Sequence, residues 1–137
     1  MANRVVHFEI QADDPARAKK FYEDTFDWKI DKYMSAADSP MDYWMVITGS
    51  EDTPGINGGI YPRPAEGKLN TYDCTIMVDD LDKAVDTVKA NGGVIKRAKE
   101  ELKGVGFFAR IADPEGNLVS LMQATEMTME DKKSKDR

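Results

Sequence analysis

The sequence contains a single cysteine, Cys74, and a single histidine, His7, among its 137 residues. One cysteine excludes a disulfide within the chain and fits a reducing compartment. No apolar run approaches the roughly 20 residues needed to cross a bilayer, and the first ten residues lack the layout of a signal peptide. The formal net charge of −6 gives no bulk attraction for nucleic acid or for an anionic membrane. We therefore expect a cytoplasmic protein that binds neither.

The composition is that of an ordinary globular protein, with 41% hydrophobic and 32% charged residues. A chain of this length corresponds to one domain and can bury a core without cross-links. The last dozen residues are polar and mixed in charge, apart from two methionines. The sequence predicts one domain over residues 1–125 and a polar tail over 126–137.

The sequence contains an internal repeat. The stretch "VVHFEIQADDPARAKKFY" near the start and the stretch "YDCTIMVDDLDKAVDTV" from residue 72 share one layout, an alternating strand, two aspartates and an amphipathic helix. A constant offset of 66 residues relates His7 to Asp73 and Asp14 to Asp80. Both Asp14 and Asp80 suit the N-cap position of a helix, and Pro15 suits the first helical turn.

Several short β segments follow each helix, so the repeat predicts an α+β fold of two tandem βαβββ modules. Module one covers residues 5–61 and module two covers residues 72–124. The Pro- and Gly-containing stretch "PRPAEGKLNT" over 62–71 is the predicted linker between them.

Three segments together, "HFEIQADDPARAKKFYEDTFDW", "YWMVITGSEDTPGINGGIYPRP" and "IADPEGNLVSLMQ", resemble the vicinal oxygen chelate superfamily. The likeness is closest to the glyoxalase/bleomycin resistance/dioxygenase proteins related to lactoylglutathione lyase, and it covers about residues 5–124. It implies paired βαβββ modules whose mixed sheets curl around a small-molecule cavity. It also implies a homodimer.

The same resemblance implies a divalent metal held by the first and last strands of each module. His7 and Asp73 match the first-strand positions, so they are the candidate metal ligands. Ser120 and Gly59 match the last-strand positions, where the lyases carry glutamate. An incomplete ligand set makes glyoxalase I activity unexpected and leaves the cofactor unknown.

The residues themselves leave another interpretation of His7 open. His7 can be a cavity-facing polar residue that hydrogen-bonds Asp73 or Glu9, and His7 with Asp73 can also act as catalytic acid and base. We expect the aromatic side chains of Tyr43, Trp44 and the Phe107–Phe108 pair to belong to the core. The residues predicted to line the ligand cavity are Glu9, Tyr61, Thr75, Arg110 and Ser120.

Two functions from different classes follow. The first is a lyase- or isomerase-type enzyme acting on a small organic molecule, with or without a metal. The alternative is a metal-free protein that binds or sequesters such a molecule, as resistance proteins do. The absence of glutamate at both last-strand positions discriminates between the two functions. It argues against lyase chemistry and so favours the metal-free binding protein over a lyase.

Overall fold

The computed structural model describes residues 3–37, 39 and 41–125. The predicted polar tail over 126–137 lies outside the described residues. In chain order the elements are β1 (Arg4–Ala12), α1 (Pro15–Phe26), β2 (Lys29–Met34), β3 (Tyr43–Ile47), β4 (Gly58–Pro62), β5 (Asp73–Met77), α2 (Leu81–Ala90), β6 (Val94–Leu102), β7 (Gly106–Ala112) and β8 (Leu118–Ala124).

The chain forms two compact units. The first unit is Val6–Cys74, and the second unit contains, of the described residues, 3–5 and 75–125. Residue 3 is tied into the second unit because the Asn3 amide donates to the carbonyl of Met77 at 2.7 Å.

In the first unit β1 pairs in parallel with β4, β4 pairs antiparallel with β3, and β3 pairs antiparallel with β2. The second unit repeats this arrangement: β5 pairs in parallel with β8, β8 antiparallel with β7, and β7 antiparallel with β6. A parallel pair needs a long crossover, which the helix and the two intervening strands provide in each unit. The prediction of an α+β fold with two βαβββ repeats is confirmed.

The two helices begin in the same way. The side chain of Asp14 accepts a hydrogen bond from the Arg17 amide at 3.1 Å, and Asp80 accepts one from the Lys83 amide at 3.1 Å. Each carboxylate thereby satisfies one of the amides that a helix N-terminus leaves without an intrahelical partner. The 66-residue offset read from the sequence therefore extends to the capping bonds.

Each unit buries one face of its strands against its own helix. In the first unit the core contains Phe8, Ile10 and Ile60, with Ala18 and Tyr22 of α1 packed on it. In the second unit the core contains Ala109, Ile111 and Leu121, with Leu81 of α2 fully buried among them. Because side chains alternate along a strand, the residues between these core positions lie on the opposite face, away from the helix.

A cluster around Tyr43, and the family to which the chain belongs

The helix-free face of the first unit carries polar side chains. Along β1, Phe8 and Ile10 point into the core, so His7, Glu9 and Gln11 lie on the other face. On β4 the same face carries Gly59 and Tyr61, and on β3 it carries Tyr43. These side chains come from three neighbouring strands, so the register of the sheet brings them together.

Tyr43 is the centre of this cluster. Its hydroxyl lies 2.7 Å from His7 Nε2 and 2.9 Å from Glu9 Oε2. His7 Nε2 is 3.7 Å from the other carboxylate oxygen of Glu9. The side chains of His7 and Glu9 are 23% and 17% exposed, so a small molecule can reach both. We refer to His7, Tyr43 and Glu9 as the Tyr43 cluster.

The proton positions in the Tyr43 cluster follow from the valence of its groups. A phenol has one proton, and Tyr43 donates it to the Glu9 carboxylate, which can only accept. The bond between Tyr43 and His7 must then use a proton on His7 Nε2. The cluster is therefore a directed chain in which His7 donates to Tyr43 and Tyr43 donates to Glu9.

The tyrosine ring occupies the space that Gly59 leaves open. A Cβ built on Gly59 would lie 1.8 Å from the Tyr43 hydroxyl oxygen and 2.0 Å from the ring carbon that bears it. Glu9 and Gly59 are direct partners across the β1–β4 pair, so the ring passes over the glycine to reach Glu9. The Tyr43 ring thus fills the place beside Gly59 where a side chain would otherwise stand.

The surroundings keep the Tyr43 phenol neutral. Burial raises the pKa of Tyr43 far above its ordinary value. The negative charge of Glu9 and the hydrogen bond to it act in the same direction, with smaller contributions from Tyr61 and Asp73. Asp73 is itself only 6% exposed. Tyr43 is therefore a proton donor throughout the physiological pH range.

Gln11 holds the predicted linker against β1. Its buried side-chain amide donates to the Tyr61 hydroxyl at 3.0 Å and to the Gly67 carbonyl at 2.9 Å, and its oxygen accepts from the Leu69 amide at 2.8 Å. Arg63 adds bonds to the carbonyls of Leu69 and Gln11. Tyr61, predicted to line a ligand cavity, is thus a hydrogen-bond partner of Gln11.

A groove of about 470 Å³ lies elsewhere in the first unit, between α1 and the linker. Phe21, Tyr22 and Tyr72 line it together with Arg17 and Arg63. His7, Glu9 and Tyr43 do not line it. Arg63 is paired with Asp13 at 2.8 Å, so its charge is offset locally. We place the candidate chemistry at the Tyr43 cluster, because donors and acceptors converge there.

Three of the predicted cavity residues lie side by side on the second unit. Thr75 of β5 is the partner of Ser120 of β8, which in turn is the partner of Arg110 of β7. All three occupy the face opposite Ala109, Ile111 and Leu121. The register therefore gathers Thr75, Ser120 and Arg110 into one row, and their place in a ligand cavity stays a prediction.

The divalent metal implied by the family resemblance does not fit the residues present. Among the described residues there is no group of three or more His, Cys, Asp or Glu side chains arranged to hold a metal ion. His7 Nε2 lies 2.7 Å from the Tyr43 hydroxyl, so the phenol occupies the side of the imidazole from which Nε2 would bind a metal. At the two last-strand positions Gly59 and Ser120 supply no carboxylate.

The core prediction was wrong for two of the aromatic residues, Tyr43 and Phe108. Phe107 packs on the core of the second unit as predicted, whereas Phe108 alternates to the helix-free face of β7. Tyr43 was predicted to belong to the core, but it lies on the opposite face and holds His7 and Glu9 together. Trp44, its neighbour, does pack on the core as predicted. The sequence signal that could have identified Tyr43 is a tyrosine near a glycine on adjacent strands, since the glycine makes room for the ring.

Comparison with known proteins identifies the family of the chain. The model of the Glyoxalase/Bleomycin resistance protein/Dioxygenase superfamily matches residues 4–121. The chain belongs to this superfamily. The resemblance read from the sequence is therefore confirmed.

Curated relatives exist in two mycobacteria. The protein named "Putative glyoxylase CFP32" is 31% identical over 121 residues, both in Mycobacterium bovis and in Mycobacterium tuberculosis. The match covers 85% of this chain and 44% of the relative in each case. The chain thus spans less than half the length of the curated relatives it matches.

Solved structures share the fold at low sequence identity. Methylmalonyl-CoA epimerase of Streptomyces coelicolor, in complex with 2-nitronate-propionyl-CoA, has a TM-score of 0.66 at 14% identity, covering 91% of this chain and 99% of the epimerase. The hypothetical protein BH1468 of Bacillus halodurans has a TM-score of 0.67 at 12% identity, covering 92% and 97%. Methylmalonyl-CoA epimerase of Mycobacterium tuberculosis has a TM-score of 0.65 at 12% identity, covering 92% and 91%.

Within residues 3–37, 39 and 41–125, neither helix has the length and apolar character required to span a bilayer.

Proposed function

We propose that the chain is a metal-independent member of its superfamily that binds a small organic molecule at the Tyr43 cluster. The observation that carries the proposal is the Tyr43 hydroxyl, held at hydrogen-bond distance from both His7 and Glu9. It supplies a neutral donor where the family resemblance implies a metal ligand. The partly exposed Glu9 carboxylate beside it offers an acceptor to a ligand.

Elemental mass spectrometry of the untagged protein tests metal independence. A tag-free chain is needed because a polyhistidine tag would overwhelm a protein with one histidine. After incubation with Ni²⁺, Zn²⁺, Mn²⁺ or Fe²⁺ and dialysis, we expect far less than one metal per chain. Near-stoichiometric metal that disappears in His7→Ala would contradict the proposal.

A double variant provides the positive control for that measurement. In Tyr43→Ala with Gly59→Glu, the ring that covers position 59 is removed and a carboxylate is added beside Glu9 and His7. The phenol no longer occupies His7 Nε2, so an imidazole protonated on Nδ1 can present Nε2 to a metal. We expect this variant to retain more metal than the wild type under the same loading.

A second candidate function, an isomerase-type enzyme, is favoured by the neutral phenol beside a carboxylate. Glu9 would take a proton from the carbon α to a carbonyl, and the electron pair of the broken C–H bond would move to the carbonyl oxygen. Once Glu9 is protonated it no longer requires the Tyr43 proton, so the phenol can donate to the developing oxyanion. His7 and Asp73, the predicted acid–base pair, lie on this unit and stay predictions.

Exchange of the α-proton into D₂O tests the second candidate. Methylmalonyl-CoA is the first probe, because the epimerases share this fold. Protein-dependent loss of the α-proton signal in NMR spectra, abolished in Glu9→Gln and reduced in Tyr43→Phe, would establish acid–base catalysis. Exchange that survives Glu9→Gln would remove Glu9 from the role of base.

A further inference from the structure

The groove between α1 and the linker lies on the helix side of the first-unit sheet, whereas the Tyr43 cluster lies on the helix-free face. Its lining includes Ile10 and Ala12 of β1, which belong to the core that packs against α1. At about 470 Å³ the groove has the size of a small-molecule pocket. It is therefore a candidate binding site separate from the Tyr43 cluster.

The wall that α1 contributes to the groove is largely aromatic. Arg17 and Phe21 are four residues apart, as are Ala18 and Tyr22, so the two pairs lie side by side on one face of the helix. Phe21 is 55% exposed, and Tyr72, which also lines the groove, is 49% exposed. Large rings that stay in contact with water and adjoin one another are typical of a binding surface.

The groove has one positive charge that is free for a ligand. Of its charged side chains, Asp13 pairs with Arg63 at 2.8 Å, and Asp14 caps α1 through the Arg17 amide. Within the described part of the chain, no hydrogen bond or ion pair involves the Arg17 guanidinium. A guanidinium in this state favours an anionic oxygen, above all that of a carboxylate.

The groove also has a hydroxyl proton to spare. The hydroxyls of Tyr22 and Tyr72 form one hydrogen bond of 2.7 Å, which is exposed to solvent. Each phenol carries one proton, and a single bond between two phenols uses only one of the two protons. The second proton is thus available to a ligand, whichever of the two tyrosines is the donor.

We propose that this groove binds a small aromatic carboxylate. The rings of Phe21, Tyr22 and Tyr72 contact the aromatic body, and Arg17 pairs with the carboxylate. The spare phenol proton donates to an oxygen of the ligand. The groove shares no residue with the Tyr43 cluster, so this proposal and the proposed function can fail independently.

Three probes that share one ring and differ in charge test the proposal on the full chain: benzoate, benzyl alcohol and benzylammonium. The readout is the NMR signal of the Trp28 indole N–H, because Trp28 stacks on Tyr22 at 4.9 Å. The chain has two tryptophans, so the signal is assigned by its persistence in Trp44→Phe. We expect benzoate to shift it saturably and with higher affinity than the other two probes. Tighter binding of benzylammonium would overturn the proposal.

Matched variants identify the groups responsible. Phe21→Ala and Arg17→Gln should each weaken benzoate binding at least about threefold. Phe26→Ala is the control for the ring, because Phe26 lies on the same helix, is 56% exposed and does not line the groove. Lys20→Gln is the control for the charge, at another exposed position of α1 outside the groove. Both controls should bind benzoate within about twofold of the wild type.

The hydroxyl pair gives a non-additive result. Tyr22→Phe and Tyr72→Phe each leave one phenol proton in the groove, so each single variant should bind within about twofold of the wild type. The double variant loses the last phenol proton and should bind about threefold more weakly or worse.

The proposal is overturned if benzoate leaves the Trp28 signal unchanged. It is equally overturned if Phe26→Ala and Lys20→Gln weaken binding as much as Phe21→Ala and Arg17→Gln, because the effect would then come from α1 as a whole.

Discussion

The helix-free faces of the two units are built on one register but carry opposite chemistry. Glu9 pairs with Gly59 in the first unit, and Thr75 pairs with Ser120 in the second. The two pairs correspond, because each joins the first and last strands of its repeat. Continuing that register across the third strand relates Met45 to Arg110. A carboxylate and an apolar side chain in the first unit thus correspond to a hydroxyl and a cation in the second.

The next row shows the converse exchange. Gln11, Tyr61 and Tyr43 of the first unit correspond to Met77, Met122 and Phe108 of the second. The first unit therefore places its hydroxyl and amide groups where the second has an apolar surface. A repeated backbone fixes which positions face the same way, while the side chains decide what each face can bind.

The largest difference in unfolding free energy is expected between substitutions at Gly59 and at Ser120, which occupy equivalent positions in the two units. Gly59→Ala forces the Tyr43 ring off its position, because the added Cβ would lie 1.8 Å from its hydroxyl oxygen. Overpacking of this kind costs about 1–3 kcal/mol of unfolding free energy, measured by urea denaturation. Ser120→Ala should cost less than about 1 kcal/mol.

Gly49→Ala is the matched glycine control, because its Cβ would meet only Thr53 Oγ1 at 3.7 Å. If Gly59→Ala lowers the unfolding free energy no more than Gly49→Ala does, the Tyr43 ring does not lie over Gly59.

Tyr43→Phe converts the first unit to the residue type that the second unit has at Phe108. The ring stays, but Glu9 loses a donor and His7 loses an acceptor. We expect a loss of about 1–2 kcal/mol in unfolding free energy, because both groups must find other partners. Phe108→Tyr, the reverse exchange in the second unit, should have a smaller effect. A larger loss of unfolding free energy in Phe108→Tyr than in Tyr43→Phe would contradict this prediction.

The stability of the protein at alkaline pH tests the environment of Tyr43 in the first unit. The pKa of Tyr43 is raised in the folded protein, so above pH about 10 the unfolded chain releases a proton that the folded chain retains. Stability is fully present below that pH and is lost as pH rises, by about 1.4 kcal/mol per pH unit for one proton. Urea midpoints between pH 9 and 11 should fall less steeply in Tyr43→Phe. Parallel curves would show that Tyr43 ionises normally.

The smallest effect is expected where the units are alike. Asp14→Ala and Asp80→Ala each remove one capping bond of 3.1 Å, so each should cost about 1 kcal/mol. Near-equal losses would confirm that the repeat extends to its helix caps. Asp82→Ala is the control on α2, since its carboxylate pairs with Lys99 on the surface and does not cap the helix.

The sequence by itself determined the repeat. Two aspartates at a constant spacing and two alternating strands predict both helix starts and the βαβββ order, because capping and alternation are local properties of the chain. Its prediction that Thr75, Arg110 and Ser120 line a ligand cavity stays a prediction, while the register of the second unit shows that the three are partners across neighbouring strands. Asp73 and His7 as catalytic residues stay predictions.

Only the tertiary structure decided what surrounds His7. Tyr43 lies 36 residues away from it, and its role depends on β3 lying beside β4 and on Gly59 leaving space for its ring. Neither condition can be read from local periodicity, because each depends on which strands become neighbours and on how far a side chain leans across them. The direction of the hydrogen bonds follows from the same placement. For that reason a histidine that the sequence offered as a metal ligand is, in the folded chain, a donor to a neutral tyrosine.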